Sequence, residues 1–330
     1  MIVSVVTIPD GVVVPIGVSE ARERLAAASC LLVDVELPEE PPPGERPVAH
    51  ELGLQPEELA WLGRVGEAVR ADYLGDRAGF IAPVMVEGDR VSHVHVFVTE
   101  RFLVAVHRGP IGLLRSLAAR MPHERPADTV AVLFLLLQEA LETFRRTALR
   151  ARLSVEDLED AMFEQRRPEQ VYRLARLRRH AALLHHTLLP YLQVVDETLT
   201  RRMMSRSFPE ERKQQTYAFQ QQARLVLTDI ESLQDATRRA FTSYSSLVSG
   251  EQNGVINRLA IVSTIFLPLT FITGFFGMNF TFMTDELESR AVFWLLAVGF
   301  QVIVLLIALY VLHRTRLWRK LRDDNGGAER

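Results

Sequence analysis

Two long apolar segments toward the C-terminal end constrain this chain more than any other feature. The stretch Leu259 to Thr284, LAIVSTIFLPLTFITGFFGMNFTFMT, carries no charge, and neither does Ala291 to Leu312, AVFWLLAVGFQVIVLLIALYVL. A helix needs about 20 apolar residues to cross the hydrocarbon core of a bilayer. Both segments are long enough, and core helices of soluble proteins rarely run this far without a charge. Only residues 285–290 separate them, so they read as a tight helical hairpin with both chain ends on one side. His313, Arg314, Arg316, Arg319, Lys320 and Arg322 follow the second segment, whereas the loop holds Asp285, Glu286 and Glu288 against Arg290. The positive-inside rule then predicts a multi-pass protein of a cell inner or plasma membrane, with cytoplasmic N- and C-termini and an outward-facing acidic loop.

The rest of the chain is long enough for further domains, since 330 residues is a prior for about two. A net charge of −3 argues against a nucleic-acid binder. Cys30 is the single cysteine, which excludes a disulfide framework and a cysteine-based zinc finger, and fits a reducing compartment. The apolar N-terminus lacks a basic leader region and is interrupted by Pro9, Asp10 and Pro15, so it reads as a hairpin of short strands rather than a signal peptide. The apolar run Thr129 to Leu137 is too short to span a membrane and reads as the buried face of a helix.

Residues 1–125 read as an α/β domain. Strands are predicted at 2–7, 11–15, 31–36, 80–86, 91–98 and 102–107, and the alternation of VSHVHVFV at 91–98 predicts a half-buried strand. Helices are predicted at 19–29, 56–70 and 111–121, and the prolines of 38–47 require a loop. Residues 126–250 read as a helical stalk with helices at 127–151, 154–164 and 168–205, Ser154 and Asp157 suggesting a capping box. A last helix, 210–275, begins near Pro209 and continues into the first apolar segment, a length of roughly 100 Å. The fold class is therefore an α+β cytoplasmic domain, a long helical stalk and two C-terminal transmembrane helices. The expected divisions are the first span at 251–282, the outer loop at 283–290, the second span at 291–312 and the basic tail at 313–330.

In the first span, Asn253, Ile256, Ala260, Ser263, Leu267, Thr270 and Gly274 recur every three or four residues. They form a stripe smaller and more polar than its flanks. Polar atoms are costly in hydrocarbon, so such a stripe faces protein or water. It either packs against the second span or lines a water-filled path, and two helices per chain enclose a path only if several subunits assemble.

Gly277-Met278-Asn279 follows that stripe, and Pro268-Leu269-Thr270-Phe271 precedes it. Together with the short acidic loop, the second span and the basic tail, these residues resemble the GMN signature region of the CorA family of divalent-cation channels. The likeness is close from about Tyr244 to Trp318 and diffuse before that. The resemblance implies a non-enzymatic, funnel-shaped homopentamer in a lipid bilayer, without cofactors, carrying Mg²⁺ and in some members Co²⁺ or Ni²⁺. It also implies a selectivity filter of Gly277, Met278 and Asn279, with Asn279 touching the ion through its hydration shell. The implied pore wall comprises Asn253, Ile256, Leu259, Ser263, Leu267, Thr270 and Gly274, and the loop residues Asp285, Glu286 and Glu288 would concentrate cations at the mouth.

Two positions depart from the family pattern. Counting back from Asn279, Ala218 stands where Mg²⁺-responsive members carry an acidic residue; Asp229 and the Asp196-Glu197 pair are the nearest acids. The loop reads Met283-Thr284-Asp285-Glu286-Leu287 where MPEL is usual. Two other readings stay open: a ZntB-like proton-coupled zinc transporter, and a membrane-tethered sensor or scaffold whose hairpin is only an anchor. His93 and His95 share a strand face and are expected to be solvated. His185 and His186 diverge, and the arginine clusters at 145–152, 166–179 and 201–206 are expected to be solvated faces with glutamate partners.

Overall fold

The computed structural model describes residues 1–27, 30–55, 59–74, 77–87, 89–204, 208–278, 291 and 293–314. Backbone proximity divides the chain into two compact units, Met1–Phe241 and Thr242–Arg330.

The first unit is built on a seven-stranded mixed sheet in the order β2-β1-β3-β7-β6-β5-β4. Its strands are β1 (Ile2–Thr7), β2 (Val13–Ile16), β3 (Leu31–Leu37), β4 (Arg70–Leu74), β5 (Arg77–Val86), β6 (Arg90–Val98) and β7 (Phe102–Arg108). All neighbours are antiparallel except β3 and β7, which pair in parallel from Leu31 opposite Phe102 to Leu37 opposite Arg108. One face is covered by α1 (Val18–Ala27) and α2 (Val48–Glu51), whose Ala21, Leu25, Val48 and Ala49 bury against Val33, Val35, Val104 and Val106. The other face meets α4 (Thr129–Glu164), which also packs on α3 (Leu113–Glu124) and α5 (Pro168–Met203).

This double cover explains one departure from the sequence. Alternation predicted a half-buried 91–98, yet Val94 to Val98 are all buried, because helices or loops close over both sides of the central strands. His95 is 5% exposed rather than solvated. A second departure is β4. The helix predicted over 56–70 is absent: residues 59–69 form turns and Arg70–Leu74 pairs with β5, while 56–58 lie outside the described residues. Gly63 and Gly66 sit at φ 78° and 77°, a conformation glycine adopts freely and a helix cannot continue through. A Cβ at Gly63 would approach the Leu37 side chain to 2.9 Å.

The helical layer is more continuous than predicted. Residues 127–151 and 154–164 belong to one helix, α4, capped by the Asp128 carboxylate accepting from Ala131 N at 2.8 Å. Ser154 is not a cap; its hydroxyl donates to the Arg150 carbonyl one turn back at 3.0 Å. The buried series Ala148, Ala151, Val155, Leu158 and Met162 keeps its period across this point, so packing overrides the local cap signal. Arg167 begins α5, with Pro168 at its first position and the Gln170 side chain accepting from Arg167 N at 2.8 Å.

The next helix, α6 (Glu210–Phe276), has 67 residues, of which those up to Phe241 belong to the first unit and the rest to the second. From Thr216 to Ala240 its buried positions are Thr216, Phe219, Ala223, Val226, Ile230, Leu233, Thr237 and Ala240. They alternate steps of three and four, the seam of a coiled-coil-like contact. Polar links fasten this portion to its neighbours: Arg212 to Asp128 at 2.9 Å, Gln220 to Asp196 at 2.6 Å and Arg145 to Asp229 at 3.7 Å.

In the second unit, the described residues after α6 form a π-helical turn (Phe293–Gly299) leading into α7 (Phe300–Arg314). By length and composition α6 is the one described helix able to cross a membrane, and Phe300–Val311 is a shorter apolar helix.

Candidate functional site

From Thr242 onward α6 changes character. Among the described residues of its apolar stretch only Ile261 and Ile272 are buried, and by helical spacing they share one face. The small and polar stripe lies on the other side. Asn253, Ser263, Thr270 and Gly274 are exposed, and Ile256, Leu259 and Leu267 are 61%, 65% and 71% exposed. Packing of that stripe against the chain's own second apolar helix is therefore not what the structure contains. Nothing lies within 4 Å of a Cβ built on Gly274.

The hydroxyls of this stretch are satisfied locally. Thr264, Thr270 and Thr273 donate to the carbonyls of Ala260, Phe266 and Leu269 at 2.7, 2.8 and 2.8 Å. Such back-bonding lets a threonine sit in apolar surroundings without an orphan donor while leaving lone pairs on offer. Thr273 uses one of them: the Gln301 side-chain amide of α7 donates to its oxygen at 3.0 Å. Gln301 is a polar residue within the apolar run Phe300–Val311, and this bond ties α7 to the last turn of α6.

The helix ends at Phe276. Gly277 N still bonds the Thr273 carbonyl at 3.0 Å, and Met278 N the Phe275 carbonyl at 3.3 Å. Gly277 is therefore a terminal turn residue without a left-handed φ, and a Cβ on it would come to 3.2 Å of the Thr273 carbonyl. Asn279 and the loop acids Asp285, Glu286 and Glu288 lie outside the described residues.

In the first unit the acids closest in sequence to Ala218 are engaged. Ala218 is exposed and lines a groove with Asp128 and Glu211, and Asp128 pairs with Arg212. Asp229 faces Arg145, Asp196 accepts from Gln220 and Glu197 pairs with Arg201 at 2.6 Å. Among the described residues no group of three or more His, Cys, Asp or Glu side chains is arranged to hold a metal. His185 and His186 meet edge-to-face at 5.8 Å.

The sheet histidines are structural. The His95 ring stacks on Trp61 at 5.9 Å, and its Nδ1 lies 3.2 Å from the Gly63 amide and 2.9 Å from the Trp61 carbonyl. Burial pushes its pKa down to about 4 against the opposing pull of the Trp61 carbonyl. His107, 3% exposed, has Nε2 at 3.2 Å from Asp34 Oδ1 and Nδ1 at 2.7 Å from the Gly109 carbonyl. Burial alone would lower its pKa, but the Asp34 carboxylate and the Gly109 carbonyl outweigh it and hold the group above its ordinary value. Nothing local in the sequence marks His107, because its partner Asp34 is on a strand distant in sequence.

Comparison with known proteins bears on the family and the fold. The profile described as "CorA-like Mg2+ transporter protein" matches residues 32–314. The cobalt/magnesium transport protein CorA of Thermotoga maritima is 30% identical over 135 residues, which is 40% of this chain and 37% of that protein's length. The putative metal ion transporter YfjQ of Bacillus subtilis is 27% identical over 223 residues, 64% of this chain and 67% of that protein. In three dimensions the chain resembles the complete CorA magnesium transporter of Methanocaldococcus jannaschii, with a TM-score of 0.74 and 17% identity over 95% of this chain and 98% of that one.

Proposed function

Since the chain belongs to the CorA-like Mg²⁺ transporter family, a family of ion transporters rather than enzymes, we propose that it forms a homopentameric membrane channel that passes hydrated divalent cations, Mg²⁺ first among them. The observation that carries this reading is the uninterrupted α6, whose small and polar stripe stays exposed in the single chain up to Gly277. Five such helices around an axis turn that stripe into the wall of a water-filled path. Co²⁺ is a second candidate cargo, in keeping with the name of the Thermotoga relative.

In this reading both apolar segments cross the membrane, both termini are cytoplasmic and the loop 283–290 faces outward, as the charge asymmetry favours. Mg²⁺ gives up water reluctantly. A ring of Asn279 side-chain oxygens accepts hydrogen bonds from that water without stripping it, whereas carboxylates would hold the ion too long. Ile256, Leu259 and Leu267 form apolar constrictions that gate by dewetting. Asn253, Ser263, Thr270 and Gly274 give polar or open stretches between them. Asp285, Glu286 and Glu288 of each subunit raise the cation concentration at the mouth. An inside-negative potential drives a divalent ion inward by roughly 4–5 kcal/mol per 100 mV, so no chemical energy source is needed. Regulation through an acid at the Ala218 position finds no support, because that side chain is a methyl group.

The test is divalent uptake into liposomes holding the purified protein, with Mg²⁺- and Zn²⁺-sensitive dyes, beside Asn279→Ala. Mg²⁺ flux lost in the variant supports the channel and its filter. Zn²⁺ flux that follows an imposed proton gradient replaces it with the zinc-transporter reading. Absence of flux from a protein that is not pentameric overturns the channel.

A further inference from the structure

The arginines of α4 and α5 do not all behave as solvated partners of glutamates. Arg145, Arg146 and Arg152 follow the expectation, pairing with Glu142, Glu139 and Glu156. Arg150, Arg176 and Arg179 do not. They converge on a groove of about 640 Å³ between the two helices, which Thr147, Ser154 and His180 also line. Among the described residues the Arg150 guanidinium donates only to the Thr147 hydroxyl at 3.2 Å and the Arg146 carbonyl at 3.4 Å, neither of them charged. Arg176 and Arg179 have neither an ion pair nor a hydrogen bond among the described residues.

One carboxylate, that of Asp89, is among the residues lining this groove, and it is largely exposed. Asp89, in the turn between β5 and β6, holds a left-handed φ of 58° and places Oδ2 at 3.7 Å from Nδ1 of His180. The Nε2 of His180 is buried without a hydrogen-bond partner. Three guanidinium groups and one carboxylate thus line one open space, a net positive lining. Such a lining is complementary to an anion that several planar donor forks can grip at once, which is the chemistry of phosphate oxygens. The space is larger than a halide needs, and a chain of phosphoryl groups offers acceptor oxygens to three guanidinium groups where a single carboxylate offers only two.

We propose that the groove between α4 and α5 is a binding site for a phosphate-bearing anion, gripped by Arg150, Arg176 and Arg179 beside the His180 wall. This site is independent of the ion path and does not require the transport reading. The ligand reaches it either as a free polyphosphate or as a phospholipid headgroup.

The experiment uses the full-length protein in divalent-free buffer, titrated calorimetrically with sodium tripolyphosphate. Wild type is compared with Arg176→Gln/Arg179→Gln and with Arg173→Gln/Arg178→Gln. The second pair changes net charge equally on exposed residues of the same helix that do not line the groove. The expected result is saturable binding that weakens with salt, about a tenfold or greater loss for the groove pair, and little change for the control pair. Equal losses in the two variants, or wild-type affinity in both, overturn the proposal, as does absence of binding at low salt. Repeating the titration in nanodiscs separates the sources. Competition by anionic but not zwitterionic phospholipid identifies a headgroup, and equal affinity in both discs identifies the free anion.

Discussion

The amide of Gln301 donates to the hydroxyl oxygen of Thr273 at 3.0 Å, joining the second apolar helix to the final turn before Gly277. Thr273 passes the interaction on through its own bond to the Leu269 carbonyl. In hydrocarbon such a side-chain bond is worth about 0.6 kcal/mol on average and about 1.7 at most. A double-mutant cycle of Gln301→Leu and Thr273→Val in the reconstituted protein is expected to return a coupling in that range. Independent, additive effects on unfolding would show that the two side chains do not meet in the membrane.

His107 gives the first unit an alkaline limit. Both of its ring nitrogens face acceptors, the Asp34 carboxylate and the Gly109 carbonyl, so the doubly protonated ring fits the site best. Its folded pKa is raised, so its contribution is complete below the unfolded value of about 6.5 and fades as pH rises through the folded one. Asp34→Asn is expected to lower the melting temperature near pH 6 and to remove most of the loss otherwise seen on going alkaline. Unchanged alkaline behaviour in Asp34→Asn would locate that limit elsewhere.

His95 sets the acid limit by the opposite sign. It is buried neutral with a pKa of about 4, beside His93, Glu67 and Arg108. Its contribution is present above the unfolded value of about 6.5 and is lost as pH falls toward 4, by an amount on the order of 3 kcal/mol. Melting curves between pH 7 and 4.5 are expected to flatten in His95→Phe, which keeps the stack on Trp61. A variant as acid-sensitive as wild type would assign the loss to other groups.

Asn279→Asp is expected to behave differently from Asn279→Ala. A carboxylate ring tightens the hold on the cation and slows its release, so half-saturation falls while maximal flux drops by about tenfold, equivalent to roughly 1.4 kcal/mol in the barrier. The check is concentration-dependent Mg²⁺ uptake. Faster maximal flux in Asn279→Asp would argue against passage through a neutral amide ring.

Local pattern carried the parts of this molecule that local pattern determines. β1, β3 and β7 and the boundaries of α5 and α6 follow from periodicity and from Pro168 and Pro209, because each buries a regular face or starts at a residue with a fixed φ. β4 escaped because Arg70–Leu74 gains its strand character from pairing with β5, and the turns at Gly63 and Gly66 hide in a helix-like composition. The seam from Thr216 to Ala240 was legible in its alternating steps of three and four, a signal the sequence reading did not use. At the candidate site the stripe on α6 could be read from spacing, since small and polar residues recur at a helical period. The Gln301–Thr273 bond could not, because it depends on which turns of two helices meet. The arginine groove was hidden for the same reason: charge spacing alone does not tell a paired guanidinium from an unpaired one.

The one parallel pairing in the sheet has a consequence for how the first unit acquires its structure. β1, β2 and β3 contact one another over short stretches of chain, and so do β4, β5, β6 and β7. Each half can form early at a modest loop-closure cost. Only the register of β3 on β7 must bring together segments separated by everything from Pro38 to Arg101, and loop closure of that size slows a folding step. The two half-sheets are thus expected to collapse first and join last. Val33, Val35, Val104 and Val106, which meet across the join, are where a truncation should retard folding most relative to its effect on unfolding.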